Sequence, residues 1–94
     1  MTNRFEQVDE AVEDAITLSL EQRSDGQWAR VLCPRSAVQG RLPKDYVSKD
    51  LPPTKALATA VKLANDLKVA MVVVDRDAIW KKEWGALYRW EAEP

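Results

Sequence analysis

The chain has 94 residues, of which 46% are hydrophobic and 31% charged, and its net charge at pH 7 is -1. This length allows one domain, residues 1–94, with a single core, and the composition is typical of a globular protein and excludes a low-complexity chain. The longest apolar run, Val69 to Val74, is far shorter than the roughly 20 residues that cross a bilayer, which excludes a membrane-spanning helix.

The compartment can be predicted from the N-terminal residues and the cysteine content. The first ten residues lack the basic start and apolar middle of a secretory signal peptide. Cys33 is the only cysteine, so no disulfide can form within the chain. We therefore expect a cytoplasmic protein without a membrane association.

The N-terminal segment carries the pattern of a helix start. Asn3 followed by Glu6 has the spacing of an N-cap residue and its reciprocal partner three positions later. This spacing predicts a helix over residues 4–13. We expect residues 1–3 and 92–94 to fray, as chain termini often do.

A β-hairpin is predicted next. Residues 16–22 begin with strict alternation of apolar and polar side chains, and Asp25-Gly26 is a frequent pair at the centre of a two-residue hairpin turn. The predicted strands are about 16–22 and 27–33. With Asp25-Gly26 at the centre of the turn, Leu18 would lie opposite Cys33.

We predict a long loop over residues 34–52, because four prolines and one glycine between Cys33 and Thr54 interrupt every periodic pattern. Within this loop, Pro43 to Val47 could form one helical turn, since proline is tolerated at the first position of a helix. Loops of this length are functional more often than short ones.

The clearest pattern is an amphipathic helix followed at once by an apolar strand. Apolar residues recur at helical spacing from Leu57 to Leu67, which predicts a helix over about 54–67 with Thr54 as its N-cap. Residues 69–75 predict a buried strand, one face of which would pack on the helix. The other face would need cover from the termini or from a second copy of the protein.

The C-terminal segment is rich in aromatic residues and predicts a short strand or irregular structure. Its aromatic side chains are Trp80, Trp84, Tyr88 and Trp90. Tryptophan and tyrosine are enriched both in cores and at protein interfaces. The fold class predicted from all elements is a small α+β domain. The predicted function is a non-enzymatic protein-interaction or self-associating module, which binds a protein partner or a second copy of itself in a homodimer through these four aromatic residues.

An alternative function follows from the uneven distribution of charge. Residues 1–25 contain seven acids and two arginines, a net charge of -5, whereas residues 26–62 contain seven bases and two acids, a net charge of +5. The central segment 30–62 could therefore bind an anion or a nucleic acid. The candidate residues are Arg35, Arg41, Lys44 and Lys49. A pI near 5.4 argues against nucleic acid as the partner.

A third reading is a metal-dependent enzyme that uses Asp75 and Asp77. Two carboxylates two positions apart at a strand end can share a hard cation, but aspartate is also a common turn residue. The chain has no histidine, and it lacks the spacing of a phosphate loop or a zinc site. We therefore assign no catalytic residue, no metal ligand and no cofactor from the sequence.

Overall fold

The computed structural model describes residues 4–38 and 42–89 of the chain. Within these residues the chain forms one helix and six strands, which join in a single mixed sheet with the order β4-β3-β2-β5-β1-β6. The elements are β1 (Arg4–Val8), β2 (Ile16–Arg23), β3 (Gly26–Cys33), β4 (Tyr46–Val47), α1 (Pro53–Leu67), β5 (Met71–Asp75) and β6 (Ala86–Arg89). The predicted α+β class is confirmed. The fraying predicted for residues 1–3 and 92–94 lies outside the described residues.

The sheet combines two kinds of strand pairing. The neighbouring pairs β2–β5, β5–β1 and β1–β6 are parallel, whereas β2–β3 and β3–β4 are antiparallel. Parallel neighbours require a connection that crosses over the sheet. Two crossover connections also join parallel strands that are not neighbours: residues 9–15 lead from β1 to β2, and residues 76–85 lead from β5 to β6.

One face of the sheet, here called the helix face, carries the core. Alternate side chains of the strands point to this face and pack against α1. The buried members are Ile16, Leu18, Leu20, Ala29, Val31, Cys33 and Val73 from the sheet and Ala56 and Ala60 from the helix. Complete burial of a leucine or isoleucine stabilises the fold by about 1.5–3 kcal/mol, so this cluster is the main source of stability.

The other face, here called the open face, has less cover. Thr17 and Val72 are buried there, together with Val74. Glu10 and Ala11 of the connection 9–15 border the same surface depression as Thr17 and Val74, so this connection runs over the open face. The sequence predicted that the second face of the buried strand would be covered by a terminus or by a second copy. A connection next to the first strand provides part of that cover.

The connection 76–85 runs over the helix face. Ile79 belongs to the same buried cluster as Leu18 and Val73. The ring of Trp80 lies against the ring of Phe5, which points to the helix face of β1. The two crossover connections therefore leave the neighbouring strands β1 and β5 toward opposite faces of the sheet.

The helix predicted for residues 4–13 is wrong, because residues 4–8 form strand β1. This strand lies between β5 and β6, with Glu6 paired to Val72 on one side and to Tyr88 on the other. Backbone hydrogen bonds to two neighbouring strands outweigh a local helix-capping pattern, which contributes about 0.5–2 kcal/mol.

The predicted hairpin is confirmed as β2 and β3, but its register is two residues away from the prediction. Leu18 lies opposite Val31 rather than opposite Cys33. Because side chains alternate with a period of two, this shift leaves each side chain on the predicted face.

The register differs because the turn forms one residue earlier than predicted. Ser24 and Asp25 are its central residues, and neither has the positive φ of a type I′ turn. Gly26, the next residue, takes φ of +133°. In the observed turn, positive φ is therefore required only of a glycine, which adopts it without steric cost. The predicted turn would have required positive φ of Asp25 as well.

The predicted helix 54–67 and the strand after it are confirmed with small changes at their ends. The helix begins at Pro53, and no side chain caps its N-terminus, so Thr54 is not the N-cap. At its C-terminus, Lys68 adopts the left-handed conformation, and the Val69 N–H donates to the Ala64 carbonyl. Because Val69 is held by the helix end, the strand starts at Met71 instead of residue 69.

The predicted long loop 34–52 contains two short elements. The helical turn lies at Arg35–Val38 rather than at Pro43 to Val47, where Tyr46 and Val47 form β4. Ser48 then exchanges two hydrogen bonds with Val31, in which its backbone N–H donates to the Val31 carbonyl and its Oγ accepts from the Val31 N–H. The end of the loop therefore follows β3 and leads directly into α1. In the part of the chain that the structure describes, no helix is long and apolar enough to cross a membrane.

Candidate functional site

The predicted aromatic surface is divided by the sheet. Trp80 packs edge-on against Phe5 and against Trp84, with 5.3 Å between ring centroids in each pair. The Trp80 Nε1–H donates to the Gly85 carbonyl at 2.9 Å. Trp80 and Trp84 are half-buried against the core on the helix face, so their first role is packing.

Tyr88 lies on the open face, away from the two tryptophans. Its neighbour Leu87 pairs with Phe5 and shares the helix face, so Tyr88 points to the opposite side of β6. Tyr88 is 38% exposed, which makes it one of the most exposed large hydrophobic residues among those described. Trp90 lies outside the described residues. The four predicted partner-binding residues therefore do not form one patch on one face of the sheet.

The segment that carries these aromatic residues forms an edge of the sheet. Among the described residues, β6 pairs with β1 on one side and with no strand on the other. A strand at a sheet edge presents backbone N–H and C=O groups that can pair with another chain. Tyr88 belongs to this strand, and Trp84 lies two residues before its start.

The basic residues of the alternative site are exposed but widely spread along their loop. Arg35, Lys44 and Lys49 are exposed, and Arg41 lies outside the described residues. The backbone N–H of Arg35 donates to Asp45 Oδ1 at 2.7 Å, which places an acid among these bases. Anion binding by this segment remains a prediction.

A network of ion pairs joins the hairpin to the end of the long loop. Asp50 accepts from Arg23 and from Arg30, at 2.7 Å in each case, and Arg23 also pairs with Glu21 at 2.6 Å. The hydrogen bonds from Arg23 and then Arg30 lower the pKa of Asp50 from 3.8 to about 2. The hydrogen bond from Asp50 and then that from Glu21 raise the pKa of Arg23. Arg30 is therefore engaged within the fold.

Asp75 and Asp77 serve the structure of the turn after β5. The two carboxylate oxygens of Asp75 accept the backbone N–H groups of Ile79 at 2.8 Å and Trp80 at 2.9 Å. Asp77 Oδ2 accepts the backbone N–H of Gln22 at 2.9 Å. No three acidic or thiol side chains converge on a possible metal site anywhere in residues 4–38 and 42–89. This geometry supports the structural reading of both aspartates.

A cleft on the open face is a site that sequence reasoning missed. It has a volume of about 540 Å³ and lies between the connection 9–15, the strands β2, β3 and β5, and the residues that follow β5. Its lining includes Glu10, Thr17, Ser19, Glu21, Arg76 and Asp77. These residues come from three separate stretches of sequence and have no common motif, so no local pattern could have predicted the cleft.

Comparison of the chain with models of known protein families, with curated proteins and with solved structures found no match.

Proposed function

We propose that this protein is a non-enzymatic self-associating module in which two copies join through the outer edge of β6. The single observation that carries this proposal is the position of β6 at the end of the sheet, paired on one side with β1 and on the other with no described strand. Addition of a strand from another chain at such an edge is a recurrent mode of protein recognition. Two-fold homodimers are the commonest oligomers.

The chemistry of β6 suits pairing with a second copy. Ala86, Leu87 and Tyr88 carry no charge, and Arg89 is the one charged residue of the strand, so repulsion between two copies depends on where the two arginines lie. An antiparallel arrangement centred on Leu87 and Tyr88 would set Arg89 of one copy opposite Ala86 of the other. Such pairing would extend the sheet across the interface.

The opposite edge of the sheet has features that oppose pairing. β4 is only two residues long, and the exposed lysines Lys44 and Lys49 lie close to its ends. Short edge strands and lysines are common protections against edge-to-edge association. The proposed interface is therefore at β6 alone.

We further propose a reducing compartment, the cytoplasm, for this module. The single cysteine, Cys33, is completely buried in the core and contributes to packing. This arrangement needs no oxidising environment.

The proposal is tested by light scattering over a wide concentration series with a pair of matched variants. Tyr88→Lys places a charge on β6, and Val47→Lys makes the same kind of change at an exposed position, 56% exposed, on β4. We expect the unaltered protein and Val47→Lys to form dimers and Tyr88→Lys to remain monomeric with an unchanged circular dichroism spectrum. A strictly monomeric unaltered protein, or equal loss of dimer in both variants, would refute the proposal.

A further inference from the structure

The connections that leave β1 and β5 create a crevice at one end of the sheet. These parallel strands are neighbours, and the connection 9–15 crosses the open face whereas the connection 76–85 crosses the helix face. In open sheets, the point where adjacent connections leave toward opposite faces opens a crevice outside the carboxyl ends of the strands. Ligands bind preferentially in such crevices.

The cleft described above begins at this point and extends over the open face as far as Thr17 and Leu32. Glu10 and Ala11 follow the carboxyl end of β1, and Arg76 and Asp77 follow the carboxyl end of β5. Its volume of about 540 Å³ falls within the range of about 300–1,000 Å³ that is typical of small-molecule sites. Both the position of the cleft in the sheet topology and its volume are therefore typical of a binding site for a small molecule.

Polar contacts fix the walls of the cleft. The guanidinium of Arg76 donates to the Asp9 carbonyl at 2.8 Å, which ties the end of β5 to the end of β1. Asp77 accepts from the backbone of Gln22 and so ties the same segment to β2. The crevice is therefore held by hydrogen bonds between the three segments that form it.

The chemistry of the lining selects the class of ligand. Three carboxylates, those of Glu10, Glu21 and Asp77, line the cleft together with one cation, Arg76. Glu21 is already paired with Arg23 at 2.6 Å, and Arg76 donates to a neutral carbonyl and keeps its charge. The excess of negative charge in the cleft therefore comes from Glu10 and Asp77. Leu32 and Val74 supply apolar surface. Because no described group of acids converges on a possible metal site, the charges suit a larger organic cation whose nitrogen atoms are separated by carbon.

We propose that this cleft binds a small aliphatic amine, with its ammonium groups near the carboxylates and its hydrocarbon stem along Leu32 and Val74. Thr17 and Ser19 also belong to the lining, and the hydroxyl of Thr17 already accepts the Val12 N–H at 3.3 Å. This site is separate from the proposed β6 interface, so its test does not depend on self-association.

The test measures binding of three probes of similar length and different charge by calorimetry at low salt. The probes are 1,4-diaminobutane, 1,4-butanediol and succinate, which are respectively cationic, neutral and anionic at neutral pH. We expect binding of the diamine alone, with amide chemical-shift changes in NMR spectra concentrated at Glu10, Ser19 and Asp77. No binding of the diamine, equal binding of the diol or the anion, or shifts confined to other residues would overturn the proposal.

Two variants and a matched control locate the site further. Ser19→Leu should fill part of the cleft and weaken diamine binding at least tenfold. Glu10→Gln should weaken it by about two- to fivefold, the effect of one partly exposed ion pair. Glu13→Gln, an exposed position in the same connection, should leave the affinity unchanged. If Ser19→Leu does not fold, the comparison of Glu10→Gln with Glu13→Gln decides, and equal affinities of those two variants would refute the site.

Discussion

At the scale of single residues, Asp75 has a role that its sequence context left open. It is 8% exposed, and its carboxylate holds two backbone N–H groups of the following turn. Its own carbonyl also accepts from the side chain of Gln7 at 3.2 Å, which links the ends of β5 and β1. This residue therefore fixes the direction in which the chain leaves β5.

Replacement of Asp75 by alanine should destabilise the protein by about 1–3 kcal/mol, because the buried N–H of Ile79 and the partly buried N–H of Trp80 would lose their acceptor. The measurement is urea denaturation followed by tryptophan fluorescence. Asp66→Ala, at an exposed position of α1 with an ion pair at 3.8 Å, serves as the control and should change stability by less than about 0.5 kcal/mol. Equal effects of the two substitutions would contradict the role assigned to Asp75.

At the scale of elements, the ion-pair network around Asp50 fastens the hairpin to the segment that leads into the helix. Arg23 belongs to β2 and Arg30 to β3, so one carboxylate binds both strands. The lowered pKa of Asp50 means that the folded state holds this group ionised at a pH at which the unfolded chain already takes up a proton.

The contribution of Asp50 to stability should be complete above pH 3.8 and should be lost as the pH falls through about 2. Asp50→Asn is therefore expected to be less stable than the unaltered protein at pH 5, and the difference should narrow at pH 2.5. The midpoints of urea denaturation, measured at pH 5 and at pH 2.5, check this prediction. Asp66→Asn is the control for the loss of an exposed charge. A difference that stays constant over this range would show that Asp50 does not carry the pH dependence.

Elements with a strong local pattern could be predicted from the sequence, and elements defined by their neighbours could not. The helix at 53–67 and the strand around Val73 have regular patterns of apolar residues over their own length. In contrast, β1 has no alternating pattern, and only its position between β5 and β6 makes residues 4–8 a strand. The cleft escaped prediction for the same reason, since Glu10, Ser19 and Asp77 come together only after the sheet has formed.

At the scale of the whole molecule, folding depends on contacts between distant parts of the chain. The N-terminal strand pairs with the two most C-terminal strands, as in the pairing of Glu6 with Val72 and with Tyr88. Contacts of such long sequence separation carry an entropic cost of loop closure that must be met before they form.

We expect refolding on a scale of about milliseconds to seconds, which stopped-flow tryptophan fluorescence can measure because Phe5 lies against Trp80. Since the central hairpin and helix form more local contacts, β1 should join late. Phe5→Ala should then accelerate unfolding more than it slows folding. Val8→Ala changes a residue of the same strand that makes no ring contact with Trp80, and its folding and unfolding rates are compared with those of Phe5→Ala. Refolding in microseconds, or an effect of Phe5→Ala confined to the folding rate, would contradict this order.

The interior position of β1 has a consequence for biosynthesis. During translation the residues of this strand leave the ribosome well before those of β5 and β6, which are its two neighbours in the sheet. At about 5–20 residues per second, the nascent polypeptide spends several seconds with these segments unpaired. After the valine-rich strand β5 has been synthesised, one of its edges stays unpaired until β1 pairs with it. During this interval the exposed apolar side chains of β5 are a binding surface for a chaperone.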